Sequence, residues 1–338
     1  MTYLVIRFGS IGNVAMTVPI ITSLSQRYPS DTFVVVSKNR LAPFFYGLSN
    51  VRFHEAELQN GVKSIIQLFH ELRSFPIDVV LDLQDTLRSY VLRTLFRLFR
   101  VPVYVFDSGR KEMRHLIVRG YKHCAPLKTE FVRYADCFRQ AGLESDNSFV
   151  SIPINLAARE SIVTRYGEKQ GVWVGIAPFA KSRSNMLPSR VTKDVIAYYG
   201  RQGATRVYLF GAGRIECEML RQWASIFPNV VSVAGQLPLE EELELMRMLD
   251  VLVGMDSANQ HIGALVGVPI VSIWCGTHPA MGFGAWKQPN ERMLQTRLSC
   301  RPCTAHGVKK CKYHNFACTD ISAQQIIQLI NNQLKWER

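Results

Sequence analysis

The sequence predicts an α/β protein made of two doubly wound, Rossmann-like domains facing a cleft. Three observations predict it. Short apolar runs of strand length recur along the 338 residues and alternate with stretches of helical periodicity. The runs are continuously apolar, as in strands buried on both faces of a parallel sheet. The alternation fades into a polar stretch over residues 145–170 and then begins again. The expected domains are therefore residues 1–158 and 170–320, with a closing helix over 321–338.

The elements follow in order. "YLVIRF" is a buried strand. After it, Val14, Val18, Ile21 and Leu24 share one side of a helix, in which Pro19 is expected to cause a kink or remove a hydrogen bond. "TFVVVS" is the next strand, and Ile65, Leu68, Phe69 and Leu72 mark an amphipathic helix. "IDVVLDL" is a strand that ends at Gln84 and Asp85. The helix over residues 86–100 shows Leu87, Val91, Leu95 and Leu98 as an apolar side, with Arg93, Arg97 and Arg100 on another. "VPVYVFD" is the last strand of this half. The second half opens with "GVWVGIAP". "RVYLFG" then meets a turn at Gly211, Ala212 and Gly213. Leu239, Leu243, Met246 and Leu249 outline a helix, "DVLVGM" is a strand, residues 257–266 are a helix and "PIVSIW" is a strand. Ile326, Ile327, Ile330 and Leu334 mark the closing helix.

Lys and Arg number 40 against 27 acidic residues, a net charge of +13. That excess favours anionic partners such as a nucleotide, a phosphorylated glycan or an acidic membrane face, and it also fits a merely solvated surface. No nucleic-acid-binding motif accompanies it, so nucleic acid is not an expected partner. No apolar run is long enough to span a bilayer. The start, "MTYLVIRFGS", reads as a first strand and not as a signal peptide. The expectation is a cytoplasmic protein, with peripheral contact at the inner membrane face left open. Eight cysteines in that setting are thiols or metal ligands before they are disulfides. Cys300, Cys303, Cys311 and Cys318 are spaced C-x2-C-x7-C-x6-C, with His306 and His314 among them. The first pair has zinc-knuckle spacing and the second is too wide, so packed thiols and no metal are expected.

In doubly wound sheets, ligands bind beyond the carboxyl ends of the strands. The first such loop holds Gly9, Ser10, Gly12 and Asn13, where glycines permit a tight turn and close approach to a ligand. It is not the G-x-G-x-x-G dinucleotide fingerprint, and the turn at Gly211 matches that pattern poorly too. The most informative segment is "DVLVGMDSANQHIGALVGVPIVSIW". There a strand runs into a helix that Asp256 or Ser257 can cap, with His261 about one turn on. The free N–H groups of such a helix start favour a phosphate. An ordinary cap with a packed histidine fits the same residues.

This segment resembles the heptosyltransferase-like glycosyltransferases, glycosyltransferase family nine (the ADP-heptose:lipopolysaccharide heptosyltransferase family). The family's approximate D-[ST]-G-x-x-H is matched by Asp256, Ser257, Ala258 and His261, with Ala258 in place of the glycine. Gly267-Val268-Pro269 and Gly276-Thr277-His278-Pro279 follow in the family's order. "IRFGSIGNVAMTVPIITSLSQRYP", "IDVVLDLQDTLRS" and "GIAPFAKSRSNMLP" extend the similarity over nearly the whole chain.

The resemblance implies a GT-B fold and a metal-independent, inverting sugar transfer, commonly from ADP-heptose to a lipopolysaccharide core. No cofactor is implied; the nucleotide-sugar is a substrate. A base must take the acceptor hydroxyl's proton, and positive charge with N–H donors must stabilise the departing phosphate. Lys181, Arg183, Asn185, Gly211, Glu216, Asp256, Ser257, Ala258 and His261 become the expected donor-binding residues, and Gly9, Ser10, Gly12 and Asn13 the acceptor loop. Two positions depart from the pattern. Asn13 stands where the family's presumed general base is Asp, and Asn185 where a Lys usually pairs with the donor phosphate. An amide hydrogen-bonds a hydroxyl but is no base near neutral pH. Asp85 and Asp107, at strand ends, are the candidate replacement bases. The basic stretch "SGRKEMRH" and the arginine-bearing helix face are candidate contacts for an anionic glycan or glycolipid acceptor. The competing expectation is a protein of the same fold that binds sugar nucleotides without turning them over.

Overall fold

The computed structural model describes residues 1–59, 61–308 and 310–336. The chain divides into two compact units. One comprises Met1–Gly109 and Lys128–Pro153; the other takes Arg110–Leu127 and the chain from Ile154 onward.

The first unit starts with β1 (Thr2–Ile6), α1 (Ile11–Ala15) and α2 (Val18–Arg27). The single helix expected here is broken in two. Pro19 lies in the first turn of α2, where its missing N–H has no intrahelical partner to lose. Across the break the Thr17 hydroxyl donates to the Val14 carbonyl at 2.7 Å. β2 (Thr32–Ser37) and β3 (Val51–Glu55) come next. β3 escapes a sequence reading because it is the sheet edge, where Arg52, His54 and Glu55 need not be apolar. α3 (Val62–Leu72) buries Ile65, Leu68, Phe69 and Leu72, as its periodicity predicts.

β4 (Val79–Asp82), α4 (Leu87–Leu98) and β5 (Val103–Val105) follow. α4 is turned differently from its expected apolar side. It buries Ser89, Leu92 and Phe96, while Leu87 and Leu98 are 79% and 74% exposed. Two polar anchors account for this rotation. Thr86 and Ser89 form a reciprocal capping box, and Arg93 turns inward to pair with Asp82 at 2.6 Å. α5 (Arg110–Arg119) belongs to the second unit, whereas α6 (Glu130–Gln140) returns to the first. The sheet is parallel throughout, in the order β3-β2-β1-β4-β5.

In the second unit α7 (Leu156–Tyr166) occupies the stretch whose pattern is weak. Its Asn155 cap accepts from the Ala158 N–H at 3.2 Å, and only Ala158, Ile162 and Tyr166 are buried. β6 (Val172–Ala177), α8 (Ser189–Gly200), β7 (Thr205–Leu209), α9 (Arg214–Ala224), β8 (Val230–Ser232) and α10 (Leu239–Arg247) precede the informative segment. That segment forms β9 (Val251–Met255), α11 (Ala258–Leu265) and β10 (Ile270–Trp274). β11 (Met293–Gln295) and α12 (Ala323–Trp336) complete the unit. This sheet is also parallel, in the order β11-β10-β9-β6-β7-β8. α12 buries Ile326 and Ile330 in the core and receives a 2.8 Å hydrogen bond at Asn331 from the Tyr199 hydroxyl. The α5 segment docks through Tyr121, which stacks on His278 with ring centroids 4.0 Å apart. Its Leu127 N–H donates to the Ala280 carbonyl at 2.9 Å.

Candidate functional site

Parallel strands put all their carboxyl ends on one edge of each sheet, so chemistry is sought along two edges. At that edge of the first unit the chain buries charge. Arg7 is 5% exposed and donates to the Leu83 carbonyl at 2.6 Å and to Gln84 Oε1 at 3.3 Å. Its guanidinium lies over the rings of Phe106 and Tyr134. Glu130 and Arg133 of α6 are buried here as well. Burial raises the Glu130 pKa, while the charges of Arg7 and Arg133 oppose that shift.

Asp82 is wholly buried. Its Oδ1 accepts from the N–H groups of Gln84 and Asp85, and its Oδ2 pairs with Arg93. Asp85 shares Arg93 at 3.4 Å and adopts a left-handed backbone with φ of 45°. Asp107 is exposed; it accepts from the Gly109 N–H at 2.9 Å and faces Arg133 at 3.4 Å. The Gly9 loop rests on Arg7 and Gln84: a Cβ at Gly9 would stand 3.0 Å from Gln84 Oε1. Ser10 is the N-cap of α1 and is exposed, Gly12 is buried and Asn13 is half-buried.

In the second unit the start of α11 is uncapped. Ser257 is the N-cap, yet no side chain caps the helix. The Asp256 carboxylate is committed elsewhere. It accepts from the Thr277 hydroxyl at 2.6 Å and from Gln260 Nε2 at 3.1 Å. Burial lifts its pKa to about 6, against the pull of those two bonds and of Arg301. Ser257 Oγ, Gln260 Oε1 and His261 Nδ1 are buried without a hydrogen-bond partner. Burial pushes His261 down to about 4, so its imidazole is neutral at pH 7.

Beside this helix start, three loops interlock. The Gly276 N–H donates to the Ser184 carbonyl at 2.7 Å, and the Cys303 N–H to the Gly276 carbonyl at 2.9 Å. The Val308 N–H donates to Ser184 Oγ at 2.7 Å. Asn185 is 4% exposed and lies against Gly307, where an added Cβ would stand 2.4 Å from its Oδ1. A separate cavity of about 570 Å³ lies along the α8 and α9 side of the carboxyl edge, lined by Phe179, Ala180, Arg183, Glu216, Trp223 and Phe316 among others. Glu216 accepts from the Ala212 N–H at 3.1 Å, next to Gly211. Lys181 is exposed near His306.

The family model for glycosyltransferase family 9 (heptosyltransferase) matches residues 65–314. The chain belongs to glycosyltransferase family 9. Lipopolysaccharide heptosyltransferase 3 from Escherichia coli is 22% identical over 299 residues, covering 84% of this chain and 85% of that protein. A family 9 glycosyltransferase from Veillonella parvula superposes with a TM-score of 0.78 at 18% identity, covering 99% and 97% of the two chains. The ADP-heptose lipopolysaccharide heptosyltransferase II of E. coli gives 0.73 at 17%, covering 100% and 99%. The fold of this family 9 chain is thus GT-B, with two Rossmann-like units.

In this family 9 member the structure brings Asp256, Ser257, Ala258 and His261 together on one strand–helix turn, and gathers Arg183 and Glu216 around one cavity. Asn185 is packed inside the loop interlock instead of projecting from it. Thr277 was visible in the family motif; Arg7, Glu130 and Arg301 were not. Arg7 bonds Leu83 and Gln84, and Arg301 bonds Trp274 and Thr277, across long stretches of sequence, so no local spacing announces either. Among the described residues no group of three or more His, Cys, Asp or Glu is arranged to hold a metal ion, and all eight cysteines are free thiols. No helix among those residues is long and apolar enough to cross a membrane.

Proposed function

We propose that this chain is a metal-independent inverting glycosyltransferase. It takes a sugar, heptose by family expectation, from an ADP-linked donor and transfers it to a lipopolysaccharide-core or other anionic surface-glycan acceptor. The second unit holds the donor and the first presents Gly9, Ser10, Gly12 and Asn13 to the acceptor. One observation carries the donor assignment. α11 begins without a side-chain cap, and buried Ser257 Oγ and His261 Nδ1 lack partners at that start. Unmade hydrogen bonds of buried groups cost about 1–3 kcal/mol each, and a diphosphate at a helix N-terminus would relieve that cost. The neutral His261 acts there as a hydrogen-bonding group and not as a cation. The adenosine then extends toward Glu216 and the adjoining cavity. The exposed cations of α5, Arg110, Lys111, Arg114 and Arg119, favour an anionic acceptor, and through it peripheral contact with a cytoplasmic membrane face.

Asn13 favours a second reading, a sugar-nucleotide-binding protein that no longer transfers. Asn185 strengthens it, because its burial against Gly307 keeps it from replacing a phosphate-binding lysine. Binding of several ADP- and GDP-sugars, measured beside a transfer assay, separates the readings. Transfer by the chain as it stands supports the first. Binding without turnover, with activity appearing in Asn13→Asp, supports the second. Absence of both binding and transfer contradicts both.

A further inference from the structure

The Cys-rich segment contains a buried charge that its cysteine spacing does not require. Arg301, between Cys300 and Pro302, is wholly buried. Its Nε donates to the Thr277 carbonyl at 3.2 Å, and its Nη2 to the Trp274 and Thr277 carbonyls at 2.9 and 2.6 Å. Its Nη1 donates to Gln295 Oε1 at 3.1 Å and to the Thr296 carbonyl. Every acceptor is neutral. No carboxylate of the described residues lies within ion-pair distance of it. Burying a guanidinium without an anionic partner is costly.

The hydrogen-bond chain leads to the negative charge it serves. Thr277 receives Arg301 on its carbonyl and gives its hydroxyl to Asp256 Oδ2 at 2.6 Å. Asp256 in turn receives Gln260 from the first turn of α11. A carboxylate at this helix start repels an incoming diphosphate, unless fixed positive charge offsets it. Asn185 supplies none.

We propose that Arg301 is a positioning residue for the donor diphosphate. It holds Thr277 and Asp256 in place and offsets the Asp256 carboxylate, so the uncapped start of α11 accepts a nucleoside diphosphate although residue 185 is uncharged. This deepens the donor assignment above and rests on it. It also gives the segment after Cys300 a role that needs no metal.

The test compares the affinities of ADP and adenosine at pH 8 by calorimetry. Wild type, Arg301→Gln, Arg301→Lys and the double variant Arg301→Gln/Asp256→Asn are used, each checked for folding by melting. Arg301→Gln is expected to lower the ADP-to-adenosine affinity ratio about tenfold or more while adenosine binding holds. Arg301→Lys keeps most of the ratio, and adding Asp256→Asn to Arg301→Gln recovers part of it. A purely structural Arg301 predicts that Lys and Gln fall alike and that Asp256→Asn recovers nothing, which overturns the proposal. An unchanged ratio in folded Arg301→Gln overturns it too. If Arg301→Gln fails to fold, Arg301→Lys decides: a kept ratio supports the proposal, and a lost ratio in a folded protein overturns it. A wild type that binds neither probe contradicts the donor assignment itself. One that binds both, with a ratio indifferent to residue 301, contradicts only this inference.

Discussion

His261 and His278 sit near the start of α11 and on the loop after β10, and burial lowers both from 6.5 to about 4. Groups with depressed folded values give up their stabilisation as pH falls from 6.5 through about 4, because the unfolded chain protonates first. Asp256 works the other way. Its folded value of about 6 lies above 3.8, so it favours the folded state as pH falls across that window. Glu242, which burial lifts from 4.5 to about 7, works in the same direction as Asp256, so between pH 7 and pH 5 the two carboxylates oppose the two histidines. His278→Asn removes one histidine from that balance and should raise the melting temperature at pH 5 relative to pH 7 compared with wild type, since an Asn Oδ1 can still accept the Ala280 N–H that His278 Nδ1 receives at 3.1 Å. An unchanged slope in His278→Asn would count against these assignments. At this scale the motif residues Asp256, Ser257 and His261 were legible as a group, because a short strand–helix turn brings sequence neighbours together. What each one bonds to was not. Asp256 reads as a helix cap, yet it takes Thr277 from 21 residues away. Asn185 reads as a ligand, yet it is packed into the loops around Gly307.

The same contrast holds for whole elements, where the interior strands and the edge strand β5 were legible and the other edges were not. β1, β2, β4, β6, β7, β9 and β10 announce themselves by continuous apolar runs. β3, β8 and β11 do not, because an edge tolerates the polar residues of β3 (Arg52, His54, Glu55) and the short three-residue runs of β8 and β11. α4 was legible as a helix but not in its rotation, since the Arg93–Asp82 pair and the Thr86–Ser89 box override its leucines. Arg93→Ala leaves the wholly buried Asp82 carboxylate without its cation, and loss of one partner of a buried pair costs about 3 kcal/mol or more. Urea unfolding should register that loss; a change below about 1 kcal/mol would mean that Arg93 acts as an ordinary surface charge. The loop interlock has its own test. A Cβ at Gly276 would stand 2.8 Å from Ser184 Cβ and 2.9 Å from its carbonyl, whereas Gly203 has open space. Gly276→Ala is expected to destabilise by about 1–3 kcal/mol, while Gly203→Ala stays near neutral. Equal effects would rule out the packing of these loops as the reason for Gly276.

For the molecule as a whole, two parallel five- and six-stranded sheets and a family 9 match over residues 65–314 agree with a pattern readable from strand and helix alternation. The grouping of Arg110–Leu127 with the second unit was not readable, because it rests on the stacking of Tyr121 on His278 and on one backbone hydrogen bond. The net charge of +13 indicates anionic ligands without saying where they bind. The central claim is narrower: a nucleotide-sugar's diphosphate binds at the uncapped start of α11. A crystal structure of the chain soaked with ADP-heptose tests it most directly. The account predicts diphosphate oxygens within hydrogen-bond distance of the first N–H groups of α11 and of Ser257 Oγ, with the adenosine directed toward Glu216. Diphosphate bound at another place, with the start of α11 still empty, would contradict it.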